Sequence, residues 1–462
     1  MPPVADELCV FAVKRGKVSV RFDVFYWQPE FRLLDQKLDE CKYDVLPLEH
    51  LILEKCGVKD GPGGWLINKS EYVESGIPML RGVNVLAGQI DLSNVVYITE
   101  EKHMQLATSE ALPGDILLTM RGTFGRAAIL PDSIPKANMN AALCRVRLED
   151  SSLSEYIMWY LNSQITYKQF KRHGTKAVQD DLNLGYIKAL RVIVPDKDTQ
   201  NRIVSKLVKA GEDCCEEKRQ AEELLSDFEA RVYREYQFQS SSTEKLCFAV
   251  RLKNLDGVID TKRYASKGNL VHNSTISDCC EIVSEKVNAS QFEKQIVDWI
   301  RIDDLTNQPL DIEEVRTQPA NEIEGSFFRV YENDILVARL GPTILNQKIV
   351  MVRSVKRITI ASSEFLVLRC KDGYHPEAVM AVLKTVYYRD LMYSQARGST
   401  PSRYRLNRED MLKLPFPDVR EKQDQIASEA AKLREQVKKM RMQAEEKWKA
   451  AKEQFERELL GE

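Results

Sequence analysis

The feature that most constrains this chain is that one plan is written into it twice. Phe11-Ala12-Val13-Lys14 returns as Phe248-Ala249-Val250-Arg251, at an offset of 237 (248 less 11), and the same offset sets Asp23 against Asp260 and Trp27 against Tyr264. Asp115-Ile116-Leu117 returns as Asp334-Ile335-Leu336, Gly174-Thr175 near Gly398-Ser399-Thr400, and Leu182-Asn183 as Leu406-Asn407. Pro195 aligns with Pro417, and Gln200-x-x-Ile203 with Gln423-x-x-Ile426. The order is kept while the offset drifts, as loops of changing length require. A period of roughly 200 residues is too long for a solenoid and implies a tandem domain duplication.

Each copy ends in a helical segment. After Pro195, apolar or small residues fall at Ile203, Leu207, Ala210, Cys214, Ala221, Leu225, Phe228 and Val232. After Pro417 they fall at Ile426, Ala430, Leu433, Val437, Met440, Ala444, Trp448, Ala451 and Phe455. Steps of three and four with charged flanks make a heptad seam. Each helix can reach about 60 Å at 1.5 Å per residue. A shared register makes the two helices partners for each other, with Ile203, Leu207, Cys214, Phe228, Ile426, Leu433, Val437 and Met440 as the pairing residues. Antiparallel pairing as a coiled coil would set the two bodies at opposite ends of a rod.

The bodies read as mixed structure. Short β-prone runs at 115–119, 127–130 and 143–148 are followed by helices over 153–171 and 183–189. The second copy repeats this with strands at 334–338, 348–352 and 365–369 and a helix over 376–394. The fold class is α+β in each body, each followed by a long helix. The boundaries are 1–195 for the first body, 196–238 for its helix, 239–417 for the second body and 418–462 for its helix.

Charge bears on function through its placement. The chain has 462 residues, 29% of them charged, and a net charge of −2. Acidic residues concentrate on the long helices and in runs such as Asp303-Asp304 and Glu313-Glu314, while loops carry the basic ones. The candidate DNA contacts in the first copy are Arg81, Asn84, Arg121, Thr123, Arg126, Lys171, Arg172, His173 and Lys176. In the second they are Arg301, Arg339, Lys348, Arg397, Ser399, Thr400 and Arg403. Cations beside small polar residues suit phosphate contact, Arg can pair with guanine, and Asn with adenine.

No apolar run is long enough to span a membrane, and no secretory leader is legible, so a cytoplasmic protein is expected. Ten cysteines without a Cys-x-x-Cys and five scattered histidines give no zinc spacing, so free thiols and no bound metal are expected. There is no phosphate-binding glycine loop with Gly-Lys-Ser/Thr, no dinucleotide fingerprint, no Asn-Pro-Pro-aromatic run and no hydrolase motif. Asp115 and Asp334 stand at equivalent places. They are either turn residues fixing a loop or the carboxylates of a duplicated nuclease.

These features together resemble the specificity subunit of type I restriction–modification systems. The resemblance rests on Gly114–Thr119 with Arg121-Gly122, on its second copy at Asp334–Ala338, and on the entries to the long helices, Pro195 to Ile203 and Pro417 to Ile426. The opening Arg21-Phe22-Asp23 through Tyr26-Trp27-Gln28-Pro29-Glu30 also fits. The chain departs from the pattern at Thr199 and Lys422, at Asn333 in place of Gly114, and at Leu340-Gly341-Pro342 in place of Arg121-Gly122-Thr123. The resemblance implies two target-recognition domains, each reading half of a split site on double-stranded DNA, with the helices fixing the gap. It further implies two methyltransferase (modification) subunits docked on the helices and a restriction/translocase subunit. S-adenosylmethionine, Mg²⁺ and ATP would sit on those partners, with no cofactor and no catalysis in this chain. The other readings are the duplicated nuclease and a helical adaptor that does not bind DNA.

Overall fold

The computed structural model describes residues 25–63, 67–173, 182–236, 274–292, 295–305 and 315–462. The Phe11 and Phe248 repeats, Asp23, Asp260, Tyr264, Gly174, Thr175, Lys176 and the Glu313-Glu314 run lie outside them. The chain forms two compact units. Unit 1 is Met1–Cys214 with Glu445–Glu462, and unit 2 is Cys215–Ala444. Among the described residues no helix is long and apolar enough to cross a membrane.

The strands of unit 1 are β1 (Asp44–Pro47), β2 (Val58–Asp60), β3 (Ile77–Leu80), β4 (Val85–Leu86), β5 (Gln89–Ile90), β6 (Val96–Ile98), β7 (Glu110–Ala111), β8 (Ile116–Thr119), β9 (Ala127–Ile129), β10 (Ala137–Met139), β11 (Leu143–Val146) and β12 (Arg191–Val194). Its helices are α1 (Pro29–Asp39), α2 (Glu100–Gln105), α3 (Ser154–Leu161), α4 (Gln164–Lys171), α5 (Leu184–Lys188) and the first part of α6 (Lys197–Glu235). Unit 2 holds α7 (Ile276–Cys279), β13 (Cys280–Val283), β14 (Lys286–Asn288), β15 (Ile296–Ile300), β16 (Arg316–Pro319), β17 (Ser326–Val330), β18 (Ile335–Ala338), α8 (Gly341–Leu345), β19 (Ile349–Met351), β20 (Thr359–Ser362) and β21 (Phe365–Cys370). It continues with α9 (Pro376–Leu383), α10 (Val386–Gln395), α11 (Arg408–Leu412) and the first part of α12 (Gln423–Leu460).

The duplication is a duplication of topology. One antiparallel sheet of unit 1 has the order β2-β11-β8-β9, and its counterpart in unit 2 has the order β13-β21-β18-β19. The second sheets are β6-β3-β10-β7 and β14-β17-β20-β15-β16. Each contains one parallel pair, β3 with β10 and β15 with β20, and unit 2 adds β14 at an edge. The central strands β8 and β18 are buried on both faces. Ile116 and Leu118 pack toward the helices with Tyr156, Tyr160 and Ile187, and Leu117 packs toward the second sheet with Leu80 and Met139. Ile335 and Val337 repeat the first role, Leu336 and Ala338 the second. Burial on both faces explains why these strands are continuous apolar runs rather than alternating ones.

The helix expected over 153–171 is two helices. Asn162 ends α3, and Ser163 caps α4 by accepting from the Thr166 amide. The helix expected over 376–394 breaks at the equivalent place, where Thr385 caps α10 by accepting from Tyr388. An oxygen side chain there satisfies a backbone N–H that a helix start leaves open.

The long helices carry their seams in pieces. In unit 1 Ile203 and Leu207 of α6 join Phe455 and Leu459 of α12 in the core of the body. Local order is antiparallel: Arg202 pairs with Glu458 at 2.5 Å, while a side chain at Gly211 would meet the Trp448 ring. In unit 2 Glu235 pairs with Lys422 and Arg231 with Glu429, again antiparallel, and Ile426 enters the core. Cys214 and Val437 are buried. Phe228 and Leu433 are half-buried and line a cavity of about 310 Å³ with Met380, Ala430 and the Glu377–Arg434 ion pair, and Met440 is half-buried as well. Much of the seam therefore packs on the bodies as well as on the other helix, the partner expected for it.

Candidate nucleic-acid interface

The loops of both units hang from one duplicated ion pair. Asp115, 2% exposed, accepts from Arg147 Nε at 2.6 Å and Nη2 at 2.7 Å, and from the Leu112 amide at 2.7 Å. Asp334, fully buried, accepts from Arg369 Nε and Nη2 at 2.8 Å and from the Tyr331 amide at 2.8 Å. The hydrogen bonds to these carboxylates push both guanidinium groups above their ordinary values. Each aspartate thus closes the turn before the central strand and is filled on both oxygens, which argues for the turn role over a metal-binding nuclease role. Gly114 and Asn333 stand before these aspartates with φ of 87° and 70°. The replacement noted in the sequence keeps the left-handed turn, which Asn tolerates best after Gly.

In unit 1 the strand β8 runs into the loop 120–126. Thr119 Oγ1 donates to the Thr123 carbonyl at 2.8 Å and accepts from the Arg126 amide at 2.9 Å. Gly122 and Gly125 have φ of 74° and 84° with open space around them. The result is a pinned turn that leaves Arg121 and Thr123 exposed and Arg126 half-buried. Phe124 stacks on Tyr167 of α4 at 5.4 Å and 7°, which ties the loop to the helix ending in Lys171, Arg172 and His173.

That helix end is more structural than expected. Arg172, with a side chain 11% exposed, donates to Asp35 at 2.7 Å and to the Tyr26 carbonyl at 3.0 Å, and lies 4.0 Å over the Tyr26 ring. His173 stacks on Tyr186 at 4.2 Å, and Lys171 lies 3.8 Å from Glu30. Arg172 therefore anchors α1, a correction to its outward role. Asn84 is the second correction. It is 1% exposed, accepts from the Arg81 amide and donates to the Asp91 carbonyl, so it builds the turn between β3 and β4. Arg81 itself donates to the Asn94 carbonyl and is half-buried.

In unit 2 the corresponding basic loop is a small hairpin. Arg397 and Arg405 exchange backbone hydrogen bonds at 3.0 and 2.8 Å. Gly398 is required there because a Cβ would lie 2.4 Å from the Arg403 carbonyl oxygen. The tip presents Ser399, Thr400 and Arg403 to solvent, with Arg397 exposed at its base and 3.4 Å from Asp410. Beside it Glu364 accepts from both Arg339, at 3.4 Å, and Arg405, at 3.1 Å, so those cations are partly neutralised. Lys348 donates to the Ile302 carbonyl at 3.0 Å, next to Arg301, which lies 5.3 Å over the Trp299 ring and pairs with Asp303 at 2.9 Å. The structure thus brings Arg397, Ser399, Thr400 and Arg403 into one hairpin, while Arg301 and Lys348 meet elsewhere in the unit.

Sequence reasoning missed Arg147 and Arg369, although the repeat that pairs Asp115 with Asp334 also pairs these two. It also missed the Phe124–Tyr167 stack, which has no counterpart in the loop that holds α8.

Against known proteins, residues 63–225 match the family described as type I restriction modification DNA specificity domain. It is similar to the type I restriction enzyme EcoBI specificity subunit of Escherichia coli, 24% identical over 143 residues, 31% of this chain and 30% of that relative. The match thus spans less than a third of the curated relative's length. A solved chain from a study of complex assembly and conformational transition of the type I R-M system covers 91% of this chain and 96% of its own at 13% identity, with a TM-score of 0.43. The type I restriction-modification S subunit from M. genitalium covers 91% and 96% at 12% identity, with a TM-score of 0.38.

Proposed function

We propose that this chain is the DNA-reading subunit of a type I restriction–modification complex, with each unit reading one half of a split site. The observation that carries this reading is the repeated sheet order. The specificity-domain match covers unit 1 from β3 into α6, and unit 2 rebuilds the same two sheets, the same buried aspartate–arginine turn and an exposed basic loop. Arg121 and Thr123 in unit 1, and Arg397, Ser399, Thr400 and Arg403 in unit 2, are the side chains placed to meet phosphates and base edges. The two long helices hold the gap between half-sites and offer their remaining surface to two methyltransferase subunits. Those subunits carry S-adenosylmethionine, and a restriction/translocase subunit brings ATP and Mg²⁺.

The test is to co-purify the chain with its methyltransferase, methylate a random double-stranded DNA pool and sequence the modified sites. A two-part motif with a fixed gap is expected. A single contiguous motif, or methylation without sequence preference, overturns the proposal. Cleavage of DNA by the purified chain with Mg²⁺, lost in both Asp115→Asn and Asp334→Asn, would establish the nuclease reading instead.

A further inference from the structure

Unit 2 holds two thiols face to face that the DNA-reading role does not use. Cys280, 1% exposed, opens the edge strand β13, and its register partner across the ladder is Cys370, half-buried at the end of β21. The sulfurs are 3.5 Å apart and unbonded. The Lys371 amide donates to the Cys279 carbonyl at 2.9 Å, so the next rung is the hydrogen-bonded one. Cys280 and Cys370 therefore share a non-hydrogen-bonded rung, where Cα atoms approach to about 4.5 Å. That separation falls within the range of about 4.4–6.8 Å that a disulfide spans, so closure needs side-chain rotation and no backbone shift. In unit 1 the residue after Arg147, the counterpart of Arg369, is Leu148, and it bridges to Ile52. The same place there is apolar, so packing alone does not call for two thiols.

We propose that Cys280 and Cys370 form a thiol modification site that reacts with small disulfides of the glutathione class and closes a reversible cross-strand bridge. Cys370 is the half-exposed member and reacts first. Its thiol gives a proton to solvent, and the thiolate attacks one sulfur of the small disulfide. That S–S bond breaks and the first small thiolate leaves and takes up a proton. Cys280 then loses its proton and attacks the Cys370 sulfur of the mixed disulfide, expelling the second small thiolate. Two protein thiols are oxidised and one small disulfide is reduced to two thiols. Contacts with the neighbouring thiols of Cys279 and Cys370, together with burial, push the Cys280 thiol up, so the second step is the slower one. The bridge fastens an edge strand to the strand whose following turn is gripped by Gln423, at the start of α12, through the Gly373 carbonyl and the His375 amide.

The test equilibrates the full-length chain with graded ratios of reduced and oxidised glutathione, quenches with acid, alkylates the remaining thiols and maps peptides by mass. The expected product has lost two hydrogens, keeps eight of its ten cysteines alkylatable, and yields one peptide pair joined through Cys280 and Cys370. Cys370→Ser and Cys280→Ser abolish that pair, and Cys215→Ser, at an exposed thiol, leaves it unchanged. Three results overturn the proposal: Cys280 and Cys370 both still alkylated at ratios that oxidise exposed Cys56, glutathione retained on Cys370 without a bridge, or a bridge between other cysteines.

Discussion

At the scale of single residues, the buried aspartates decide how the candidate loops are held. Asp115 and Asp334 each satisfy a fork of two guanidinium N–H groups and one amide. Removing either carboxylate takes the buried acceptor from three donors. Asp115→Ala should destabilise unit 1 by about 2–3 kcal/mol, the range for charge-assisted bonds lost in a buried setting. Asp115→Asn should cost less, because an amide oxygen can still accept from Leu112. Urea midpoints of the three proteins check the order, wild type above Asn above Ala. Asn84→Ala belongs with these structural changes. It should lower stability and leave the Arg121 loop free to bind, whereas the exposed Arg121→Ala should do the reverse.

At the scale of elements, the long helices act as caps as well as seams. In unit 1 Glu456 of α12 accepts from the Gln164 amide at 2.6 Å, and in unit 2 Glu229 of α6 accepts from the Val386 amide. Each glutamate meets the first amide of the second helix of a pair, next to the cap made by Ser163 or Thr385. Negative charge at a helix N-terminus is favourable, but burial outweighs it here and pushes both carboxyls up. A raised folded value means that the protonated form is favoured by folding. The contribution to stability is fully present below the ordinary carboxylate value of 4.5 and is lost as pH rises through the raised one. Glu456→Gln stays neutral, so its stability relative to wild type should increase as pH rises from the ordinary carboxylate range to neutrality. Urea midpoints over that range measure it, and a constant difference would refute it. Ser163→Ala and Thr385→Ala should each cost about 1 kcal/mol by the same assay.

These elements also mark what the sequence could and could not disclose. The strands near Asp115 and Asp334 were legible because apolar runs sit between turn residues. The helical breaks at Ser163 and Thr385 were not, because apolar periodicity passes through them and only the cap residue marks the joint. The second sheet of unit 1 was missed because β6 and β10 are three residues long and β7 two, too short for any alternation to register. The seam was legible as a stripe at Ile203 and Ile426. A stripe does not say what covers it, and the bodies cover much of this one. Surface position was the least legible property: Asn84 and Arg172 look like Arg121 in composition and differ only in their tertiary partners.

At the scale of the whole molecule, the proposed reading gives each unit of the duplication its own half-site. Arg121 stands on a turn of unit 1 and Arg403 on a hairpin tip of unit 2, both exposed, each on a loop tied to its own central strand. If each unit reads its own half-site, a change in one loop alters one half of the motif and leaves the other half and the gap intact. Arg121→Ala and Arg403→Ala in the assembled complex should each reduce the slope of log affinity against log salt by about one, as a lost phosphate contact does. Only a base contact would also relax the sequence preference, and then in one half-site only. Binding isotherms at several salt concentrations give the slope, and sequencing of methylated pools gives the half-site. The double variant should lose the sum of the two slopes, because loops without shared partners act additively. Loss of preference in both half-sites from either single change would mean that the units do not read DNA separately, and the duplication would then need a different explanation from division of a split site.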